Sequence, residues 1–210
     1  VSFFSGKRND CHPGQIRGNP LSGLCEKVCI QAKKVFDACQ KQQHLQGYRL
    51  ELHNFTPVNF TLPLKFVSGQ TSTTKYVRLK NVEVTRFEDR PNFARITATA
   101  VIPVDVIYED ANGQSGVAEG TIRLEQDIVL YVPPPSVLPF RVVCDASVII
   151  AEGQIENETL VFEGCVLLIL KVVADTELLV PAYGYCHIPH CQNFNQDMCA
   201  GFFELPLFPR

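Results

Sequence analysis

No long apolar run occurs in this chain. Its most apolar stretch, Cys165 to Leu170, is six residues, whereas a membrane-spanning helix needs about 20. Nor is there a basic cluster. The 19 Lys and Arg residues are scattered and face 22 acidic ones, a formal net charge of −3, so nothing is arranged to neutralise a nucleic-acid backbone. Gly-rich phosphate loops are absent. No C-x-x-C pair is present, and no local signature marks a cysteine nucleophile with its histidine. The carboxylates Glu88, Asp89, Glu109, Asp110, Glu156 and Glu158 sit at apparent turns, where solvation accounts for them. These absences point to a protein that is not an enzyme and carries no cofactor. The opening Val-Ser-Phe-Phe-Ser-Gly-Lys-Arg also lacks the apolar core of a secretion signal. Either a signal has been removed or none existed.

What is present is β pattern. At 210 residues, with 46% hydrophobic and 20% charged residues, the chain is long enough to bury a core and too apolar to be disordered. From Ala94 to Val132 it predicts one long hairpin. Ile96, Ala98, Ala100, Ile102, Val104, Val106 and Tyr108 fall on even positions of the first arm, and Ile122, Leu124, Ile128, Leu130 and Val132 on even positions of the second. A repeat of two is that of a strand with one buried face. Asn112-Gly113 favours the reversal. Paired numbers must sum to an even value for the even faces to coincide, which excludes a two-residue loop and favours three or five. A sum of 226, pairing Tyr108 with Ala118 and Ile102 with Leu124, is the expected register. Pro103 cannot donate to a ladder and implies an edge or a bulge.

Other strands are expected at Tyr48 to His53, Asn59 to Val67, Lys75 to Phe87 and Phe140 to Ile150. In Lys75 to Phe87 the apolar positions change parity across Lys80-Asn81, which predicts a bulge. Pro133-Pro134-Pro135 separates the hairpin from the last strands, and residues 151 to 158 form a polar turn. Leu160 to Val173 is apolar on both faces, as in a core strand, or else a strand covered by another subunit. Ser22 to Gln43 has the stripe Cys25, Val28, Cys29, Ala32, Phe36 and Cys39 of a short helix, with a short strand at Val28 to Val35 as the alternative. The expected fold is therefore all-β, an antiparallel sandwich or stacked sheets. A Cys-rich N-terminal arm spans 1–47, the β core 48–180, and a Cys-rich extended tail 181–210.

Nine cysteines, at 11, 25, 29, 39, 144, 165, 186, 191 and 199, cluster toward the two ends, as in a disulfide-stapled protein from an oxidising setting. An odd count leaves at least one free or paired with another chain. Cys11, Cys186, Cys191 and Cys199, outside the expected strands, are the first candidates for crosslinks; Cys25, Cys29, Cys39, Cys144 and Cys165 complete the set. Cys186, His187, His190 and Cys191 have the ligand types of tetrahedral zinc, but adjacent Cys-His and His-Cys dipeptides cannot easily all reach one ion, so disulfides are preferred and no bound metal is expected. In the tail, Phe202, Phe203, Leu205, Leu207 and Phe208 form an apolar segment suited to packing on a neighbour. Three Asn-x-Ser/Thr sequons, at Asn54, Asn59 and Asn157, are assigned to chance.

The run Ile102-Pro-Val-Asp-Val-Ile-Tyr108, the turn Glu109-Asp-Ala-Asn-Gly113, the return Thr121-Ile-Arg-Leu-Glu-Gln-Asp-Ile-Val129 and the preceding Tyr76 to Phe87 together resemble the SPOCS domain of spore-coat and spore-morphogenesis proteins of endospore-forming bacteria. The lead Cys25 to Asp37 and the tail Pro181-Ala-Tyr-Gly-Tyr-Cys186 are similar to clostridial spore-surface proteins. The resemblance implies a noncatalytic β domain of a layered spore envelope, made in the mother cell without a secretion signal. The expected function is a homopolymer at the spore surface, a coat layer or appendage filament built by arm or tail exchange and disulfides, with other envelope proteins as further partners. Alternatives are a β-sandwich module that recruits a protein or glycan, and a zinc-dependent structural protein.

Overall fold

The computed structural model of the chain describes residues 18–21 and 23–184. Eight strands account for the regular structure among them: β1 (Glu26–Glu51), β2 (His53–Thr56), β3 (Lys65–Thr71), β4 (Arg78–Arg86), β5 (Phe93–Glu109), β6 (Ser115–Tyr131), β7 (Arg141–Glu156) and β8 (Thr159–Ala182). The fold is all-β and antiparallel, with no helix among the described residues. The chain divides into two compact units, Lys33–Thr176 and a smaller one made of Val1–Ala32 with Glu177–Arg210. The body of the protein therefore begins at Lys33, ahead of the boundary at 47 expected from composition.

In the larger unit the hairpin of β5 and β6 pairs without a break from Phe93↔Tyr131 to Glu109↔Ser115. Even positions of both arms face inward, and Ile96, Ile102, Val104, Val106, Tyr108, Ala118 and Ile122 have no exposed surface. The loop is the expected five residues, 110 to 114. Its register, however, is one pair tighter than a sum of 226: Tyr108 opposes Gly116, and Ile102 opposes Ile122. Two glycines account for the difference. A Cβ on Gly116 would lie 2.4 Å from the Tyr108 hydroxyl, and one on Gly120 would lie 2.7 Å from the Leu50 side chain. Large residues fold over these bare backbones, so glycines stand where apolar side chains were counted.

Sheet order runs β1-β8-β7-β3-β5-β6-β2, with β4 also on β5. β4 lines the first half of β5, from Arg78↔Val101 to Arg86↔Ala94, and β3 lines the second, from Lys65↔Glu109 to Thr71↔Val104. Pro103 falls in the gap between them, on a central strand, and its carbonyl accepts from Ser72 N–H at 2.9 Å. It marks neither an edge nor a bulge; the missing donor is tolerated because neither β3 nor β4 pairs with it on that side. The bulge expected in β4 is present between Lys80 and Glu83, with Asn81 at φ 52°.

Only Leu52 separates β1 from β2, so the two ends of the sheet order are one stretch of chain and the sheet returns on itself. Along the return, β1 meets the free edge of β6 through side chains. Asp37 Oδ2 accepts from Tyr131 N–H at 2.7 Å, Lys41 Nζ donates to Gln126 Oε1 at 3.3 Å, and the Tyr48 hydroxyl accepts from Arg123 N–H at 3.2 Å. Backbone pairing resumes at β2, with His53↔Glu119. Tyr48 also stacks at 5.5 Å on Phe162 of β8, so the two halves of the rolled sheet share one core. That core joins Leu45 and Leu50 to Ile102, Val104, Ile122, Val148, Leu160, Phe162, Leu168 and Leu170.

The helix expected over 22–43 is instead the first half of β1. Val28, Ala32 and Phe36 are spaced by four, a step that satisfies a helical stripe and, being even, one face of a strand equally well. Pairing with β8 decides, overriding local propensity. Gly47, at φ +59°, moves the inward face from Leu45 to Tyr48, Leu50 and Leu52. The strand expected at Asn59 begins only at Lys65. Phe60 instead packs with Phe55 around the Tyr108 ring, at 6.0 and 5.7 Å, and Leu62 is exposed. The turn expected over 151–158 is two residues, Asn157 and Glu158, both with positive φ, because β7 and β8 pair up to Glu156↔Thr159. β8 is a core strand on its even face, while Leu167 and Ile169 on the odd face are half-buried.

Phe162 is 2% exposed at the centre of this core. Phe162→Ala is expected to lower the unfolding free energy by about 3–5 kcal/mol, whereas Val137→Ala, at a side chain in open solvent, changes it by less than about 0.5 kcal/mol. Urea unfolding of the two variants measures both.

Candidate functional site

Three polar constellations lie in the larger unit. The first is the loop of the central hairpin. Asp110, 6% exposed, turns its carboxylate back onto the backbone: Oδ1 accepts from Asn112 N–H and Gln114 N–H, each at 2.8 Å, and Oδ2 from Thr61 N–H at 3.1 Å. The bond from Gln114 is foremost in holding this carboxyl below the usual range, aided by Thr61 and Asn112. Asn112 Nδ2 donates to the Thr61 hydroxyl at 2.8 Å. Every oxygen of Asp110 is occupied, so it staples the hairpin end to the 57–64 loop rather than offering a base.

The second surrounds Glu119 on the wet face of β6. Its Oε2 accepts from Lys75 Nζ and, at 2.6 Å, from Asn54 Nδ2, with His53 Nε2 at 3.9 Å. Asp105 stands directly opposite. The Lys75 hydrogen bond, then that from Asn54, keeps the Glu119 carboxyl below its ordinary range. Lys75 thereby offsets two like charges that would otherwise repel across the strands. The arrangement ties the 72–77 segment to the hairpin; no nucleophile adjoins it.

The third is a shallow groove of about 530 Å³ on the outer face of β1, β8 and β7, where Gln42 and His44 meet Cys165, Leu167, Ser147 and Ile149. Behind it, Gln43 Oε1 is buried without a hydrogen-bond partner among the described residues. The groove places a thiol and an imidazole on neighbouring strands.

All five described cysteines are free thiols. Cys144 points into the core and, through burial and then the nearby Asp145, its thiol is pushed up to about 11. Such a group packs like a small apolar residue and is unsuited to crosslinking. Cys39 is half-buried, with its thiol raised first by burial and then by Asp37. Cys25 and Cys29 are exposed and belong to the smaller unit, in which Cys25 N–H donates to Ala182 O at 3.0 Å and the Cys25 thiol to the same oxygen at 3.4 Å. Cys165 is exposed, although it lies within a strand. Cys11, Cys186, His187, His190, Cys191, Cys199 and the segment Phe202, Phe203, Leu205, Leu207 and Phe208 lie outside the described residues. No group of three or more His, Cys, Asp or Glu side chains that could hold a metal occurs among the described residues, and no helix there is long and apolar enough to cross a membrane.

His44, His53, Asn54, Lys75 and Glu119 carry no signal in the sequence, since each is an isolated polar residue until strand pairing assembles them. Asp110 is expected in solvent, whereas an Asp just ahead of the Asn112-Gly113 reversal is a residue type suited to an Asx turn. No family model, no curated protein and no solved structure matches this chain.

Both depressed carboxyls predict the same sign of pH dependence. A carboxyl whose folded pKa is lowered stabilises the fold above its unfolded pKa, and loses that contribution as pH falls through the folded value. Glu119→Gln is therefore expected to unfold at lower urea than the parent at pH 7. The gap should close as the pH drops below the ordinary glutamate range of about 4.3. Urea midpoints at pH 7 and pH 3 measure it, and a gap unchanged at pH 3 contradicts the role given to Lys75 and Asn54.

Proposed function

We propose that this chain is a noncatalytic structural protein whose copies assemble into a layer or filament, held by contacts and disulfides of its terminal segments. The carrying observation is the division of the chain. The larger unit is an antiparallel β body with its own packed core. The smaller unit joins the two ends of the sequence and contains six of the nine cysteines, Cys11, Cys25, Cys29, Cys186, Cys191 and Cys199. Cys25 and Cys29 are exposed there as free thiols. Cysteines grouped toward the two ends of the sequence suit bonds between molecules better than the stapling of a fold that already has a packed interior. The apolar tail residues Phe202, Phe203, Leu205, Leu207 and Phe208 supply burial at the same contact. The SPOCS-like hairpin supports placing such a polymer at the spore surface.

Negative-stain microscopy of the full chain, with and without reductant, tests this. Oxidised protein is expected to form extended assemblies that reductant shortens or dissolves, and removal of residues 200–210 is expected to reduce them. Single particles at high concentration under oxidation, with every thiol paired inside one molecule, contradict the proposal.

A further inference from the structure

Among the five described thiols only Cys165 is both exposed and set in the packed sheet of the larger unit. It pairs with Ile149 across the β7–β8 junction. On its other side runs β1, whose Gln42 and His44 line the outer groove together with Leu167 and Cys165 of β8. His44 and Cys165 thus stand on neighbouring strands in one groove. Side chains directly opposite on neighbouring strands have Cβ atoms about 4.5–5.5 Å apart. A zinc ion, at about 2.3 Å from a thiolate and about 2.0 Å from an imidazole nitrogen, bridges such a pair without distorting the sheet.

One pair supplies two ligands, and structural zinc takes four. We propose that His44 and Cys165 are half of a tetrahedral Cys2His2 zinc site that a second copy of this chain completes, joining two molecules through the outer faces of β1, β8 and β7. A two-fold axis through the groove repeats the same two side chains, so one surface provides both halves. The two thiolates balance the charge of the ion, leaving the buried centre neutral. Around it, Ile149 is 66% exposed and Leu167 and Ile169 are half-buried, an apolar rim that the second copy covers.

Distance separates this from a direct Cys165–Cys165 disulfide. Sheets packed face to face lie about 10 Å apart, while a disulfide requires Cα atoms about 4.4–6.8 Å apart. An ion between the two sulfurs adds two metal–sulfur bonds of about 2.3 Å each and spans the ordinary spacing. The contact goes beyond the terminal-segment assembly proposed above and does not depend on it.

The test uses the reduced full chain and zinc alone, followed by sedimentation velocity. Zinc is expected to double the mass of the smallest species with one ion bound across each pair of chains, and a chelator to reverse it. His44→Ala and Cys165→Ser are each expected to abolish the zinc-dependent dimer while keeping the parent urea midpoint, since both side chains are exposed. Cobalt(II) in place of zinc should give the charge-transfer absorption of a thiolate ligand in the parent and lose it in Cys165→Ser. A dimer that forms without metal, no change of mass on adding zinc, or a zinc-dependent dimer that survives in Cys165→Ser each overturns the site. If oxidised assemblies form normally while the zinc dimer is absent, the zinc site fails and the polymer stands; a zinc dimer without oxidised assemblies upholds the site and overturns the polymer.

Discussion

The unbroken pairing of β5 with β6 is the constraint on which the other strands depend. Seventeen consecutive residue pairs hold two strands whose even faces are buried and whose odd faces are mostly wet, so a slip by one residue would turn the even-face apolar side chains toward the surface. β3 and β4 divide the far edge of β5 between them, β2 takes the start of β6, and β1 closes onto the rest of β6 through side chains. The hairpin's own end is fixed by Asp110, whose three backbone hydrogen bonds set the loop length and so the register.

Return of the sheet on itself covers the free edge of β6, while β4, among the described residues, pairs with β5 alone and keeps its other edge open. An exposed edge is a template for unplanned pairing. Here the 121–131 edge of β6 is met by Asp37 and Tyr48, which accept from its backbone N–H groups, and by Lys41, which donates to the Gln126 side chain, without adding a ladder. The proposed assembly therefore works through terminal segments and an outer sheet face, surfaces that can be governed by redox state or metal.

Alternation made most of this fold legible in the sequence. The central hairpin, an odd-numbered loop of three or five residues, the bulge in β4 and the inward face of β7 follow from parity. Two kinds of information were hidden. The glycines at 116 and 120 carry no hydrophobic signal, yet Tyr108 and Leu50 lie over them, and the true register depends on that close approach. The stripe Val28, Ala32 and Phe36 fits helix and strand alike, and only the pairing of β1 with β8 resolves it. The polar constellations were less legible than the fold. Glu119, Lys75 and Asn54 are dozens of positions apart, and Cys165 with His44 more than a hundred; only sheet topology makes either set neighbours.

Hydrogen exchange followed by mass spectrometry is the most direct test of the hairpin's primacy. Core segments open only with the whole fold, while peripheral ones open locally. The account predicts that amides of 94–108 and 116–130 exchange last, at one common rate set by global unfolding, with β4 and the two-residue β2–β6 contact releasing earlier. Exchange of the hairpin ahead of β7 and β8 would contradict it.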